Sequence, residues 1–245
     1  MVSLPQLQAN LASAQFYCVE YQVQSPLNLY NSAACDSLAT QAATGRHLRI
    51  MSPPLETAIA VRLCEDDYPG WLAMSDLEQL ELAASPYQAI ALSTAAITAK
   101  LPAVIAFTQT AMEQPNHYLW GGTVGPNYDC SGLMQTAFAA EGIWIPRDAY
   151  QQEAFTQAVA IEDLYPGDLV FFGPPEKATH VGLYLGNGCY IHSSGKDQGR
   201  NGIGIDQLSP QGDAVSQTYY RQLRGAGRVI ASCQPCSLSQ ENPPQ

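Results

Sequence analysis

Long apolar runs are missing from this 245-residue chain. No stretch of 18 apolar residues occurs, which excludes a membrane-spanning helix. Basic residues are scarce: 11 Lys and Arg stand against 22 Asp and Glu, a net charge of −11. That balance argues against nucleic acid, whose phosphates call for clustered cations. The opening MVSLPQLQANLASAQ lacks a basic segment followed by an unbroken apolar core. No secretory leader is expected there, so the expected location is the cytoplasm. Cysteine is neither even in number nor regular in spacing: Cys18, Cys35, Cys64, Cys130, Cys189, Cys233 and Cys236. A disulfide framework is not expected, in keeping with a reducing compartment. Cys233 and Cys236 form a lone C-x-x-C with no second ligand pair, so no zinc site, and no metal or cofactor, is expected.

What is present changes character along the chain. From about 15 to 82, YCVEYQVQ, HLRIM, AIAVRLC and WLAM are short β-branched and aromatic runs. SPLN, ATGR, SPPLE and EDDYPG separate them with turn chemistry, so four or five strands and a small closed barrel are expected. An Ala-rich stretch follows. It reads as linker and then helix, with Pro102 in the first turn and an end near Glu113. After GPNYDCSG, LMQTAFAAEGI predicts a helix ending at Gly142. GDLVFFG, HVGLYLG and CYIHSS predict three strands, with GIGIDQL and GAGRVI as further short ones. Helix followed by antiparallel strands makes the fold class α+β. The divisions are 1–85 for the barrel, 86–100 for a linker, 101–236 for the α+β domain and 237–245 for a disordered tail.

Cys130 stands directly before the predicted helix. A thiol at a helix N-terminus feels the positive end of the dipole, which predicts a lowered pKa and a reactive thiolate. The alternative is a small buried hydrophobe, the ordinary fate of cysteine. A thiol nucleophile needs a base, and the base an orienting partner. Only His47, His117, His180 and His192 are available. His47 falls in the barrel and His117 reads as surface or structural. His180 and His192 lie on adjacent strands. A two-residue Asn187-Gly188 turn would pair Leu183 with His192 and send the histidines to opposite faces. A three-residue Gly186-Asn187-Gly188 loop would pair Gly182 with His192 and make them diagonal neighbours on one face. The three-residue loop is expected.

YLWGG, YDCSG, GDLVFF, HVGLYLG and YIHSS, in that order over about residues 100–230, resemble the NlpC family of bacterial cell-wall cysteine endopeptidases. The resemblance implies a reduced papain-like domain, helices packed on an antiparallel sheet. Cys130 is then the nucleophile, His180 the base and His192 the third residue. Tyr118 would serve the oxyanion hole beside the Cys130 N–H. Asp129 would bind the free amine of an N-terminal L-Ala, or else cap the helix. Ser131 would touch the substrate, or bond backbone. LNLY, GRHLRIM and EDDYPGWLAM resemble a bacterial SH3-like domain. In a cyanobacterial-type subgroup that domain walls the substrate cleft, and Tyr68 matches a residue that meets the substrate's N-terminus. Tyr68 and Trp71 read equally as turn and core aromatics, and for Trp71 the core is the expectation.

The implied substrate is a murein peptide, L-Ala-γ-D-Glu-L-diamino acid, cut after D-Glu by a monomer engaged in wall-peptide recycling. Alternatives are a thiol-dependent acyltransferase with the same triad, a non-catalytic wall-peptide binding module, and a zinc protein.

Overall fold

The computed structural model describes Leu7 and residues 18–234. The tail from residue 237, and Cys236 of the C-x-x-C pair, lie outside the described residues. Two compact units are present. The described residues up to Ala89, with Cys233 and Gln234, form one, and Ile90–Ser232 form the other.

The first unit holds seven strands: β1 (Glu20–Val23), β2 (Leu27–Tyr30), β3 (Leu38–Ala42), β4 (His47–Ile50), β5 (Ala58–Leu63), β6 (Pro69–Ala73) and β7 (Leu80–Leu82). That exceeds the four or five expected; strands as short as β7 leave little pattern to read. They pair antiparallel in the order β3-β2-β6-β5-β4-β1-β7. Tyr21, Leu29, Ala42, Leu48, Val61, Leu72 and Leu80, one from each strand, meet in a single core. A flat sheet cannot converge seven strands on one cluster, so the sheet curls around it as an SH3-like barrel. Tyr68 packs partly buried against this core. Trp71 does not: Leu72 points inward, and strand alternation turns its neighbour outward to a half-buried position. That corrects the expectation of a core tryptophan.

The second unit opens with α1 (Thr94–Glu113). Its start lies well ahead of Pro102, inside the expected linker. Ser93 accepts a hydrogen bond from the Ala96 N–H and caps the helix, and the Ala-rich first turns favour helix strongly. Pro102 therefore sits inside the helix, on its exposed side. α2 (Cys130–Ala140) follows, then α3 (Ala149–Phe155), β8 (Gln157–Val159), β9 (Leu169–Phe172), β10 (His180–Gly186), β11 (Cys189–Ser194), β12 (Gly202–Gln207), α4 (Ala214–Tyr220) and β13 (Leu223–Arg228). α2 ends as expected at Gly142, which takes the left-handed conformation, φ 73°.

The six strands are antiparallel in the order β12-β11-β10-β9-β13-β8. Alternation divides β9 between two cores. Leu169 and Phe171 join α1 and α2 through Val104, Leu133 and Phe138. Val170 and Phe172 join Tyr190 and Tyr219 on the other face. Helices packed on an antiparallel sheet give the α+β, papain-like domain.

The β10–β11 hairpin departs from expectation in an instructive way. Gly186 pairs with Cys189 across a two-residue Asn187-Gly188 turn, with φ 53° and 72°. Both positive values mark the tight turn that an Asn-Gly pair favours. Yet the register shifts between Tyr184 and Gly186, so that Leu183 opposes Ile191. Leu185 is the extra residue of a bulge. One step further Gly182 opposes His192, where a Cβ on Gly182 would stand 3.3 Å from the His192 Cβ. The expected pairing is present, reached by a bulge and not by a longer loop.

Candidate active site

Asp129 caps α2 by accepting from the Gly132 N–H at 2.7 Å. Its other oxygen accepts from the Gly121 N–H at 2.8 Å. These two bonds tie the loop before the helix to its first turn and set Cys130 at the helix start. Gly132 has to be glycine, because an added Cβ would collide with the Gly122 carbonyl. Arg147, buried, donates to Asp129 Oδ1 at 3.1 Å and Oδ2 at 2.5 Å. The cation that the Asp129 charge calls for is therefore present within the chain. Ser131 belongs to the same cluster: its hydroxyl accepts from Arg147 at 3.0 Å and donates to Asp129 at 3.3 Å.

Cys130 is 5% exposed and shares a core with Val181 and Leu183 of β10, and the backbone N–H groups of Ser131 and Val181 favour its thiolate. It thus lies against the strand that His180 begins. Burial, and then the Asp129 carboxylate, push the thiol up to about 12, against the pull of those N–H groups and Arg147. This corrects the expected lowered pKa: desolvation outweighs the helix end. Burial, and then the neighbouring His192, hold His180 well below its ordinary range. The resting pair is a neutral thiol and a neutral imidazole.

His180 Nε2 lies 2.6 Å from His192 Nδ1. Both rings sit on the Tyr219 face of the sheet. His180 stacks on Tyr219 with centroids 4.3 Å apart, and His192 meets Tyr190 and Tyr219 edge-on at 4.9 Å each. Behind them, His192 Nε2 lies 2.6 Å from Asp206 Oδ2, and Arg200 donates to Asp206 at 2.5 and 3.2 Å. Burial opposes the Asp206 charge, but hydrogen bonds from His192 and Arg200 hold its carboxyl below the usual range.

Tyr118 is half-buried, and burial followed by the nearby Cys130 and Asp129 raises its hydroxyl well above the ordinary range. It remains a neutral donor beside the thiol. The structure thus brings Cys130, His180, His192, Tyr118, Asp129 and Ser131 into the second unit, while Tyr68 belongs to the first. His117 is exposed, and its backbone N–H bonds Asn127. His47 pairs with Glu20 at 3.1 Å in the barrel. Asp206, Arg200 and Arg147 escaped the sequence reading. Asp206 had one usable signal, its place in GIGIDQL, expected as a further short strand. No group of three His, Cys, Asp or Glu among the described residues is arranged to hold a metal.

A cysteine at a helix N-terminus, its thiol against an antiparallel sheet that carries two hydrogen-bonded histidines, defines a papain-like thiol site. Comparison with known proteins gives the family. Residues 115–224 match the NlpC/P60 family, and residues 29–77 the bacterial dipeptidyl-peptidase Sh3 domain. The chain therefore carries an NlpC/P60 domain behind a bacterial SH3 domain. It is similar to the gamma-D-glutamyl-L-lysine dipeptidyl-peptidase of Bacillus subtilis (strain 168), 47% identical over 79 residues, 31% of this chain and 27% of that one. The protein of the same name from Bacillus cereus (strain ATCC 10987) is 43% identical over 116 residues, 46% of this chain and 32% of that one. A crystal structure of an NlpC/P60 family protein from Bacillus cereus ATCC 10987 aligns with 89% of this chain and 67% of its own, at 24% identity and a TM-score of 0.44. The matched stretch spans 27% and 32% of the length of the two curated relatives.

Proposed function

We propose that this chain is a cysteine peptidase that hydrolyses the γ-D-Glu–L-diamino acid bond of murein peptides with a free N-terminal L-Ala. The observation that carries the reading is the 2.6 Å bond between His180 and His192 on the sheet against which the Cys130 thiol lies. The names of the two dipeptidyl-peptidase relatives support the choice of bond.

With thiol and imidazole both neutral, proton transfer accompanies attack. Cys130 gives its proton to His180 as sulfur adds to the γ-carbonyl of D-Glu. The Tyr118 hydroxyl and the Cys130 N–H meet the oxygen on which charge develops. His180 then returns the proton to the leaving amine, and an acyl-enzyme remains. Water, deprotonated by His180, releases the acid. His192 orients the His180 ring throughout.

The free amine falls to Asp129 by the resemblance, with Ser131 as a polar contact. Both Asp129 oxygens are already engaged by chain groups, so an incoming amine competes with Arg147. A demand for a free amine favours released peptides over intact wall, and with them a monomeric recycling enzyme in the cytoplasm. Cell fractionation and size-exclusion chromatography test those two points.

The deciding experiment is hydrolysis of L-Ala-γ-D-Glu-diaminopimelate by the wild type and Cys130→Ala, with mass detection. Release of L-Ala-D-Glu by the wild type alone supports the reading. Equal cleavage of N-acetylated peptide removes the amine requirement. No cleavage by the wild type removes the substrate, and an amide or ester product in place of acid turns the reading to acyl transfer.

A further inference from the structure

We infer that Asp206, braced by Arg200, fixes where the protons sit on the two histidines and so makes His180 Nδ1 the catalytic base. The inference rests on the proposed thiol chemistry and adds two positioning residues to it. A carboxylate only accepts hydrogen bonds. Asp206 Oδ2 stands 2.6 Å from His192 Nε2, so that nitrogen carries the hydrogen. A neutral imidazole has one N–H, so His192 Nδ1 is bare and accepts. It stands 2.6 Å from His180 Nε2, which must then donate. His180 in turn is left with Nδ1 bare, free to take a proton.

Two histidines alone would not settle this. The reversed line, His192 Nδ1–H to a bare His180 Nε2, makes an equally good bond. It would leave a hydrogen on His180 Nδ1 and no base. Asp206 removes that degeneracy, because its anion cannot face a bare Nε2 without losing a charge-assisted bond. It supplies, one ring removed, the anion that a Cys-His-His set otherwise lacks.

Strand pairing shows how the position is built. His192 opposes Gly204 across β11 and β12. Asp206 lies two residues further along, on the same face as His192. A Cβ at Gly204 would run into the Arg200 guanidinium. The bare backbone there lets Arg200 lie across the strand and reach both carboxylate oxygens. The other groups facing the pair are Tyr190, Tyr219 and Phe172. Burial raises both phenols, so they stay uncharged. Ser216 Oγ approaches Asp206 Oδ1 at 3.5 Å, at the limit of a hydrogen bond.

The test uses the full chain labelled with 15N-histidine. Near neutral pH, nitrogen shifts of the wild type should show both His180 and His192 protonated at Nε2. Asp206→Asn, checked for a native circular dichroism spectrum, should move hydrogen onto His180 Nδ1. Site-resolved alkylation of Cys130 by iodoacetamide should slow by about tenfold or more with an altered pH profile, and kcat should fall while KM holds. Nitrogen shifts and alkylation need no substrate, so they stand even if the substrate assignment fails. Hydrogen on His192 Nδ1 in the wild type overturns the inference. So does a folded Asp206→Asn protein with unchanged shifts and alkylation. Should that variant not fold, Arg200→Ala keeps Asp206 and is read the same way: slower alkylation with a mixed His180 tautomer supports the inference, and wild-type behaviour in both overturns it.

Discussion

Arg147 grips Asp129 at both oxygens, 3.1 Å to Oδ1 and 2.5 Å to Oδ2, one residue ahead of the nucleophile. Both side chains are removed from water. Removing one partner of such a pair strands a buried charge, at a cost of about 3–5 kcal/mol. Arg147→Leu should lose stability on that scale in urea denaturation. Asp129→Asn combined with Arg147→Leu should recover part of the loss, because no charge is then left unpaired. A single variant within about 1 kcal/mol of wild type would remove the pair from the forces holding the start of α2.

Stability should fall as the medium turns acid, and the sign follows from the histidines. Burial holds His180 well below its ordinary range, and holds His192 below it against the pull of Asp206. The unfolded chain takes up these protons as pH drops through about 6.5, while the folded chain does not. Stability is therefore complete above that value and is lost as pH falls toward the lowered folded values. The slope is up to about 1.4 kcal/mol per pH unit for each histidine. Asp206, held below its usual range, adds a further loss only under about pH 4. Urea midpoints between about pH 7.5 and 5 should show this slope, and His192→Gln should flatten it. An equal slope in the variant would locate the acid sensitivity elsewhere.

Tyr118 is assigned an oxyanion donor, and its neutral hydroxyl suits that work. Tyr118→Phe keeps the ring and deletes the O–H. Loss of one such donor lowers kcat by about 10²–10³. KM should change little, because the bond strengthens only as charge develops. A variant whose kcat holds while KM rises would make Tyr118 a ground-state contact.

Much of the site was readable because β-strands have a period of two. Cys130 before an apolar helix, and two histidines on neighbouring β runs, are local patterns. Their meeting on one face was expected from a three-residue loop and is reached instead through a bulge, which a count across the turn does not display. What escaped depends on distant pairing or on length. Asp206 matters only because β12 lies beside β11, with Tyr190 opposite Asp206. Arg147 sits in WIPRD, between two helices, where no periodicity applies. The seven-residue helices α3 and α4 are too short for a stripe to form, and their starts at Asp148 and Asp213 carry only a capping signal. The barrel was legible as a class through its turns, but not in its strand count. The burial that raises the Cys130 thiol was invisible too, since the sequence displays a helix end but not the depth at which it lies.

The bulge at Leu185 makes this site a matter of parity. An Asn-Gly turn alone joins an even register, in which Leu183 faces His192 and His180 turns away. Leaving Leu185 out of the ladder shifts the pairing by one and brings His180 round to its partner. Drawing Leu185 back into regular pairing would remove no atom of the triad and leave the turn intact. Along the strand it would present Val181 where the base should stand. The catalytic face is thus written in the pairing of the two histidine strands as much as in the identity of the histidines.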